Sequence, residues 1–238
     1  MQMTPDDSLL FTAFGLPINA TIFNTWVIMA LLTGVSALIT RNLRPDVPPN
    51  RWRTALEVVV NGIVGQIAEI TGRRDPRVLY FSGTLFLFIV MANLATVIPG
   101  FATPTASLST TAALALSVLI AVPLFGIGSR GLGGYLKTYI EPSVVMLPFN
   151  IIGEASRGIS LAIRLYGNIM SGAIIAVILL GVAPFFFPVL MDMLGLLTGV
   201  IQAYIFAILA TVYISSATAP SPSPSPAADM TETTKETK

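Results

Sequence analysis

The chain has 238 residues, 54% of them hydrophobic and only 11% charged, with no Cys and no His. A soluble domain carries roughly 25% charged residues, so the composition and a mean hydropathy of +0.79 exclude an ordinary water-soluble globule and point to an integral membrane protein. The missing Cys and His exclude disulfides, thiolate chemistry and the commonest metal-ligand sets, and a net charge of +1 gives no reason to expect a nucleic-acid partner.

Residues 1–19 carry Asp6 and Asp7 and lack the basic start of a secretory signal, so cleavage is not expected. A first apolar run covers 21–40 and ends at Arg41. Arg41, Arg44, Arg51 and Arg53 follow, interrupted by Pro45, Pro48 and Pro49, and then come Arg73, Arg74 and Arg77. Short loops rich in Lys and Arg stay in the cytoplasm, which assigns residues 41–77 to the inside and the N-terminus to the outside. Within that stretch Trp52, Leu56, Val59, Ile63, Ile67 and Ile70 recur every three or four residues, with Glu57, Asn61, Gln66 and Glu69 on the other faces. The pattern predicts an amphipathic helix over about 50–73, lying at the interface or packed on its own membrane domain.

Two further spans are predicted at 79–98 and 108–128. The connection between them holds Pro99, Gly100 and Pro104 and no charge, as an external loop does. Arg130 and Lys137 mark the next connection as cytoplasmic. Two long apolar stretches follow, 143–183 and 184–217. As helices they would be roughly 60 and 50 Å long, well beyond the ~30 Å hydrocarbon core. Neither has a convincing central turn signal, so long tilted helices are expected, giving about five passages with the C-terminus inside. Residues 218–238 are Pro/Ser-rich and then polar, a composition expected to be disordered.

Ionisable residues inside a membrane helix are costly and usually face protein interior or water. Between Lys137 and Lys235 the only basic residues are Arg157 and Arg164, and the acids after Glu141 are Glu154 and Asp192, until Asp229 in the tail. Glu154 stands three residues before Arg157, within ion-pair reach. Together with Asn150, they form either a structural ion pair or the lining of an aqueous entrance. Arg164 has no acid three or four residues away, and its partner must therefore lie elsewhere. Gly167, Ser171 and Gly172 follow within about two turns. On the last helix Gly195, Gly199 and Ala203 make a small-residue packing face, with Asp192, Thr198 and Gln202 nearby. The two helices are expected to pack closely around Arg164, with Gln202 opposite it.

These residues carry a pattern. Ile159-Ser160-Leu161-Ala162-Ile163-Arg164-Leu165-Tyr166-Gly167-Asn168 resembles the signature of subunit a of the F-type ATP synthase membrane sector. Gln202-Ala203-Tyr204-Ile205-Phe206 with Val212-Tyr213-Ile214 resembles the same family's C-terminal block. Pro148-Phe149-Asn150, and Met91-Ala92-Asn93-Leu94 with Ile98-Pro99, resemble two further segments of it. The similarity covers about residues 20–217. It implies a stator subunit beside a rotating ring of small hairpin subunits (c), with a peripheral-stalk subunit (b) and the rest of the complex as partners. It also implies two offset aqueous half-channels that pass protons to and from carboxylates of the ring. Arg164 is then a gate: guanidinium does not deprotonate, so it relays no proton, but it favours the ionised form of an approaching carboxylate. Asn168, Ser171, Asp192, Thr198 and Gln202 are expected to line the path. The family's usual half-channel acids fall here on Ala173 and Gly195, leaving Asp192 as the candidate substitute.

The sequence therefore predicts an all-α polytopic membrane protein of about five membrane helices. Its domains would be an external segment 1–19, a membrane domain 20–217 and a cytoplasmic tail 218–238, in a bacterial inner membrane. Its function would be passive ion conduction, without catalytic residues, cofactor or metal of its own. No phosphate-binding G-x-x-x-x-G-K-[ST] run occurs, and Gly131-Leu132-Gly133-Gly134 reads as a plain loop. A sodium-carrying version of the same subunit is one alternative. A self-contained secondary transporter is the other, although no second copy of the Arg164 block supports the internal repeat such proteins show.

Overall fold

The computed structural model describes residues 9–13, 16–40, 51–72, 76–98, 101, 103–140, 145–182 and 187–218. Six helices carry the architecture: α1 (Ala20–Thr40), α2 (Arg51–Thr71), α3 (Pro76–Leu94), α4 (Leu108–Ile140), α5 (Met146–Val182) and α6 (Phe187–Thr218). All except α2 are long and apolar enough to cross a membrane. The chain is thus an integral multi-pass membrane protein, and its membrane domain is all-α. Helices are what such a sequence must form, because hydrocarbon offers the backbone no hydrogen-bond partners. Many hydroxyls solve the same problem within their own helix: Thr25 donates to the Thr21 carbonyl at 2.7 Å and Thr33 to that of Met29 at 2.8 Å.

A short antiparallel hairpin, β1 (Leu9–Ala13) paired with β2 (Leu16–Asn19), precedes α1. The sequence reading left this segment without structure. Residues 41–50, most of the loop 99–102 and the tail from 219 onward, with the expected tail disorder, lie outside the described residues.

The core lies where α3, α4, α5 and α6 meet. Ile89 and Ala92 of α3, Val118 of α4, Leu161 and Leu165 of α5, and Ala203, Phe206 and Ala210 of α6 are buried together. Alanines at 203 and 210 flank Phe206 and let the neighbouring backbones come close to it. A second cluster joins Ile67 of α2 to Val78, Ala121, Val122 and Ile214. The amphipathic helix therefore rests on its own membrane domain.

Two expectations need correction. Residues 131–134 are not a plain loop. Helix α4 bends at Gly131, with φ 75° and ψ 164°, and helical turns resume and run to Ile140. Positive φ is cheap only for glycine, so one residue redirects the chain where a loop was expected. The small-residue face on α6 is also narrower than its spacing implied. Gly199 and Ala203 are buried in it, but Gly195 has nothing within 4 Å of where a Cβ would lie. It opens onto a cleft instead.

Helices α5 and α6 are each continuous over 37 and 32 residues, about 55 and 48 Å at 1.5 Å per residue. Lengths well beyond a ~30 Å hydrocarbon core are accommodated by tilt. Only 6% of the apolar window of α5 is buried within the chain, against 44% for α3. Ile159, Ile163, Ile174, Ile175, Val177 and Ile178 face outward. One long face of α5 is left uncovered by the described residues.

Candidate functional site: two openings on either side of Arg164

Five residues of α5 recur at four-residue steps: Ser156, Ser160, Arg164, Asn168 and Gly172. Each residue in such a row neighbours the next, and the row winds by about 160° around the helix from Ser156 to Gly172. The structure divides this stripe between two openings. A shallow, open patch on the outer surface of α5 is bordered by Ser156, Ile159, Ser160, Ile163 and Arg164, with no wall from another described element. A cleft of about 410 Å³ begins one turn later at Asn168. Arg164 borders the first opening and Asn168 begins the second.

The cleft is a wedge between three elements. Asn168, Ser171, Gly172 and Ala176 of α5 form one wall. Asp192, Gly195 and Thr198 of α6 form the second, and Asn93 of α3 with Thr96 of the following 3₁₀ turn forms the third. Two of its hydroxyl protons are already placed: Ser171 donates to the Asn168 carbonyl at 3.1 Å, and Thr198 to that of Leu194 at 2.9 Å. Their lone pairs remain available to water or a cation in the cleft. Among the described residues, Asp192 is the one titratable side chain that lines it.

Arg164 is exposed, and no hydrogen bond, ion pair or ring contact joins it to any described residue. A lone guanidinium at the centre of an apolar helix is expensive, so its counter-charge must come from outside the described part of this chain. Arg157 behaves differently. Its guanidinium carbon sits 5.4 Å from the centroid of the Tyr213 ring on α6, within cation–π range. Arg157, Tyr213 and Glu154 border one narrow pocket between α4, α5 and α6. Asn150, half-buried near the start of α5, lines neither opening.

Gln202 borders neither opening either. It is only 7% exposed, and its Nε2 has no hydrogen-bond partner within the described structure. The expected face-to-face arrangement with Arg164 is therefore not what the structure has: the arginine points outward while the glutamine is buried.

The residues that sequence reasoning passed over are Asn93, Thr96, Ser156 and Ser160. Asn93 is 4% exposed and fully engaged. Its Nδ2 donates to the Gly199 carbonyl at 2.8 Å, and its Oδ1 accepts from Thr105 Oγ1 at 2.9 Å. A Cβ at position 199 would lie 3.0 Å from that amide side chain, so glycine there is what allows α3 and α6 to be bolted together at the cleft wall. One signal pointed to Asn93, an amide inside an otherwise apolar run. Counting in fours back from Arg164 finds the two serines.

Comparison with known proteins agrees with this architecture. The family model described as "ATP synthase A chain" matches residues 22–215. The chain is 57% identical over 218 residues to ATP synthase subunit a 1 of Chlorobaculum parvum, covering 92% of this chain and 96% of that one. It is 57% identical over 219 residues to ATP synthase subunit a of Albidiferax ferrireducens, covering 92% and 94%. With ATP synthase subunit a 2 of a Picosynechococcus strain it shares 56% over 219 residues, covering 91% and 93%. Five apolar helices, an arginine between two openings and near full-length similarity lead to one conclusion: the chain belongs to the ATP synthase A chain family.

Proposed function

We propose that this chain is the ion-conducting stator subunit of a rotary ATP synthase, with Arg164 separating two half-channels that meet a rotor ring. The observation that carries the reading is the break in the polar stripe of α5. Ser156 and Ser160 lead to Arg164 along one opening, while Asn168, Ser171, Thr198 and Asp192 line the other. An ion crossing from one to the other must pass a fixed positive charge. Entering protons would reach a ring carboxylate through the cleft. After rotation, the carboxylate would arrive beside Arg164 from the side of the open patch. Guanidinium stabilises the ionised form and so drives release, and it blocks direct leakage because it does not deprotonate. Lysine would keep the charge but lose the planar, multi-donor head. The outward face of α5 is where the ring would pack, and the peripheral stalk and the ATP-hydrolysing subunits complete the machine. By the charge rule, the N-terminus lies outside and the C-terminus in the cytoplasm.

A sodium-carrying version is the second reading, favoured by the donor set of the cleft. Amide and hydroxyl oxygens surround a single carboxylate, and the chain has no His. Hard cations are bound by such oxygens. ATP-driven uptake measured with and without sodium separates the two versions.

The two-opening arrangement is tested by cysteine accessibility, for which the absence of native Cys gives a clean background. In the assembled complex, Ser171→Cys and Thr198→Cys are expected to be inhibited by silver ion added from outside the cell membrane. Ser156→Cys and Ser160→Cys are expected to respond from the cytoplasmic side. Reaction of both pairs from one side only, or of neither, would overturn the arrangement.

A further inference from the structure

The ion path leaves one cavity unused, beneath α2. This helix touches the membrane domain through its second half, where Ile67 is buried and Ile63 and Ile70 are half-buried. In its first half Val58, Val59 and Val60 stay exposed. Between α2 and the pair α3 and α6 runs a slot of about 390 Å³ along both halves of the helix, walled by Val58, Val59, Ile63, Ile67, Phe86 and Ile208. The polar groups at its margins are already matched. Tyr204 donates to Gln66 Oε1 at 2.7 Å on the exposed edge, and Thr211 donates to Ser82 Oγ at 2.9 Å at the buried end.

Such a slot does not stay empty. Protein interiors hold few voids larger than a water molecule, and buried water needs two to four polar partners, whereas the middle of the slot is apolar and its few polar groups sit at the two margins, bonded to one another. At the ~30 Å³ that one water takes in the liquid, the slot has room for about a dozen methylene-sized groups. That matches a large part of an acyl chain. Charge argues for the same occupant: the sequence of α2 begins with Arg51 and Arg53, and basic residues beside a membrane helix attract anionic headgroups.

We propose that the slot under α2 holds an acyl chain of an anionic bilayer phospholipid, with its headgroup at the Arg-bearing start of the helix. The lipid would fill the slot and fix the amphipathic helix against α3 and α6. This inference depends only on the chain's place in a membrane, so it stands or falls apart from the ion path.

The test uses the assembled complex in vesicles containing phosphatidylglycerol with a photoactivatable group in its acyl chain. Illumination is expected to label peptides covering 58–70 and 204–211. Gly62 lines the slot and has nothing within 4 Å of an added Cβ, so Gly62→Phe enters the cavity without a backbone clash. It is expected to reduce labelling of those peptides about tenfold, while labelling of the exposed apolar face of α1 at Trp26 and Met29 and ATP-driven uptake stay as in the wild type. Ala207→Leu, a smaller intrusion from the opposite wall, is expected to act in the same direction. Absence of slot labelling in the wild-type complex would overturn the proposal, as would labelling unchanged by both variants. Cross-linking of the slot walls to another subunit's peptide would assign the cavity to a protein partner and also overturn it.

Discussion

Arg164 is held where a cation costs about 3 kcal/mol or more to place, without a described partner in its own chain. Asp192 and Gly199 complete the residue-level picture. Among the described residues, Asp192 is the cleft's single titratable lining group. If it relays protons, Asp192→Asn lowers ATP-driven proton uptake by at least about tenfold, ~1.4 kcal/mol on the barrier, in complexes that assemble normally. Uptake at the wild-type rate would remove Asp192 from the path. Gly199 permits the Asn93 bolt, and a methyl group there would press on the amide at 3.0 Å. Overpacking of this kind costs about 1–3 kcal/mol, so Gly199→Ala is expected to lower the thermal midpoint of the purified complex. An unchanged midpoint would show that α3 and α6 separate at no cost. Arg164 and Asp192 were legible in the sequence because charges in apolar helices announce themselves. Asn93 was only half-legible: an amide in an apolar run stands out, but its part in the site emerges only when the fold brings Gly199 and Thr105 to it.

At the scale of elements, hydropathy located four of the five membrane helices within a few residues at both ends, and α4 at its start, because the bilayer imposes one length rule on all of them. The reading of α5 and α6 as single long helices also agrees with the structure, which keeps both continuous. It failed around Gly131, where a glycine-rich run between charges looks like any loop. The difference between a loop and a bent helix there lies in a single φ angle, and composition carries no record of it. Gly131→Ala forces a side chain into the left-handed region at a cost of about 1 kcal/mol. It is expected to lower the thermal midpoint modestly and to raise protease sensitivity near Arg130, measured on the intact complex. Equal protease sensitivity would mean that the bend does not depend on glycine. The hairpin β1–β2 was likewise invisible, being short and flanked by no strong turn signal. Pairing of the two openings along α5 was half-legible: the four-residue spacing is in the sequence, but its division into patch and cleft depends on where α6 and α3 leave α5.

For the whole molecule, the chain supplies a rigid four-helix core, an amphipathic helix resting on it, and one long helix face that nothing in the described chain covers. A partner outside the chain accounts for both the bare face of α5 and the bare charge of Arg164 with a single hypothesis, and family membership supplies the complex in which such a partner exists. The most direct measurement is ATP-driven ion uptake into vesicles carrying the assembled complex with Arg164→Ala. The account predicts normal subunit content with hydrolysis-driven uptake reduced to background. Uptake that persists at a substantial fraction of the wild-type rate in that variant would contradict it.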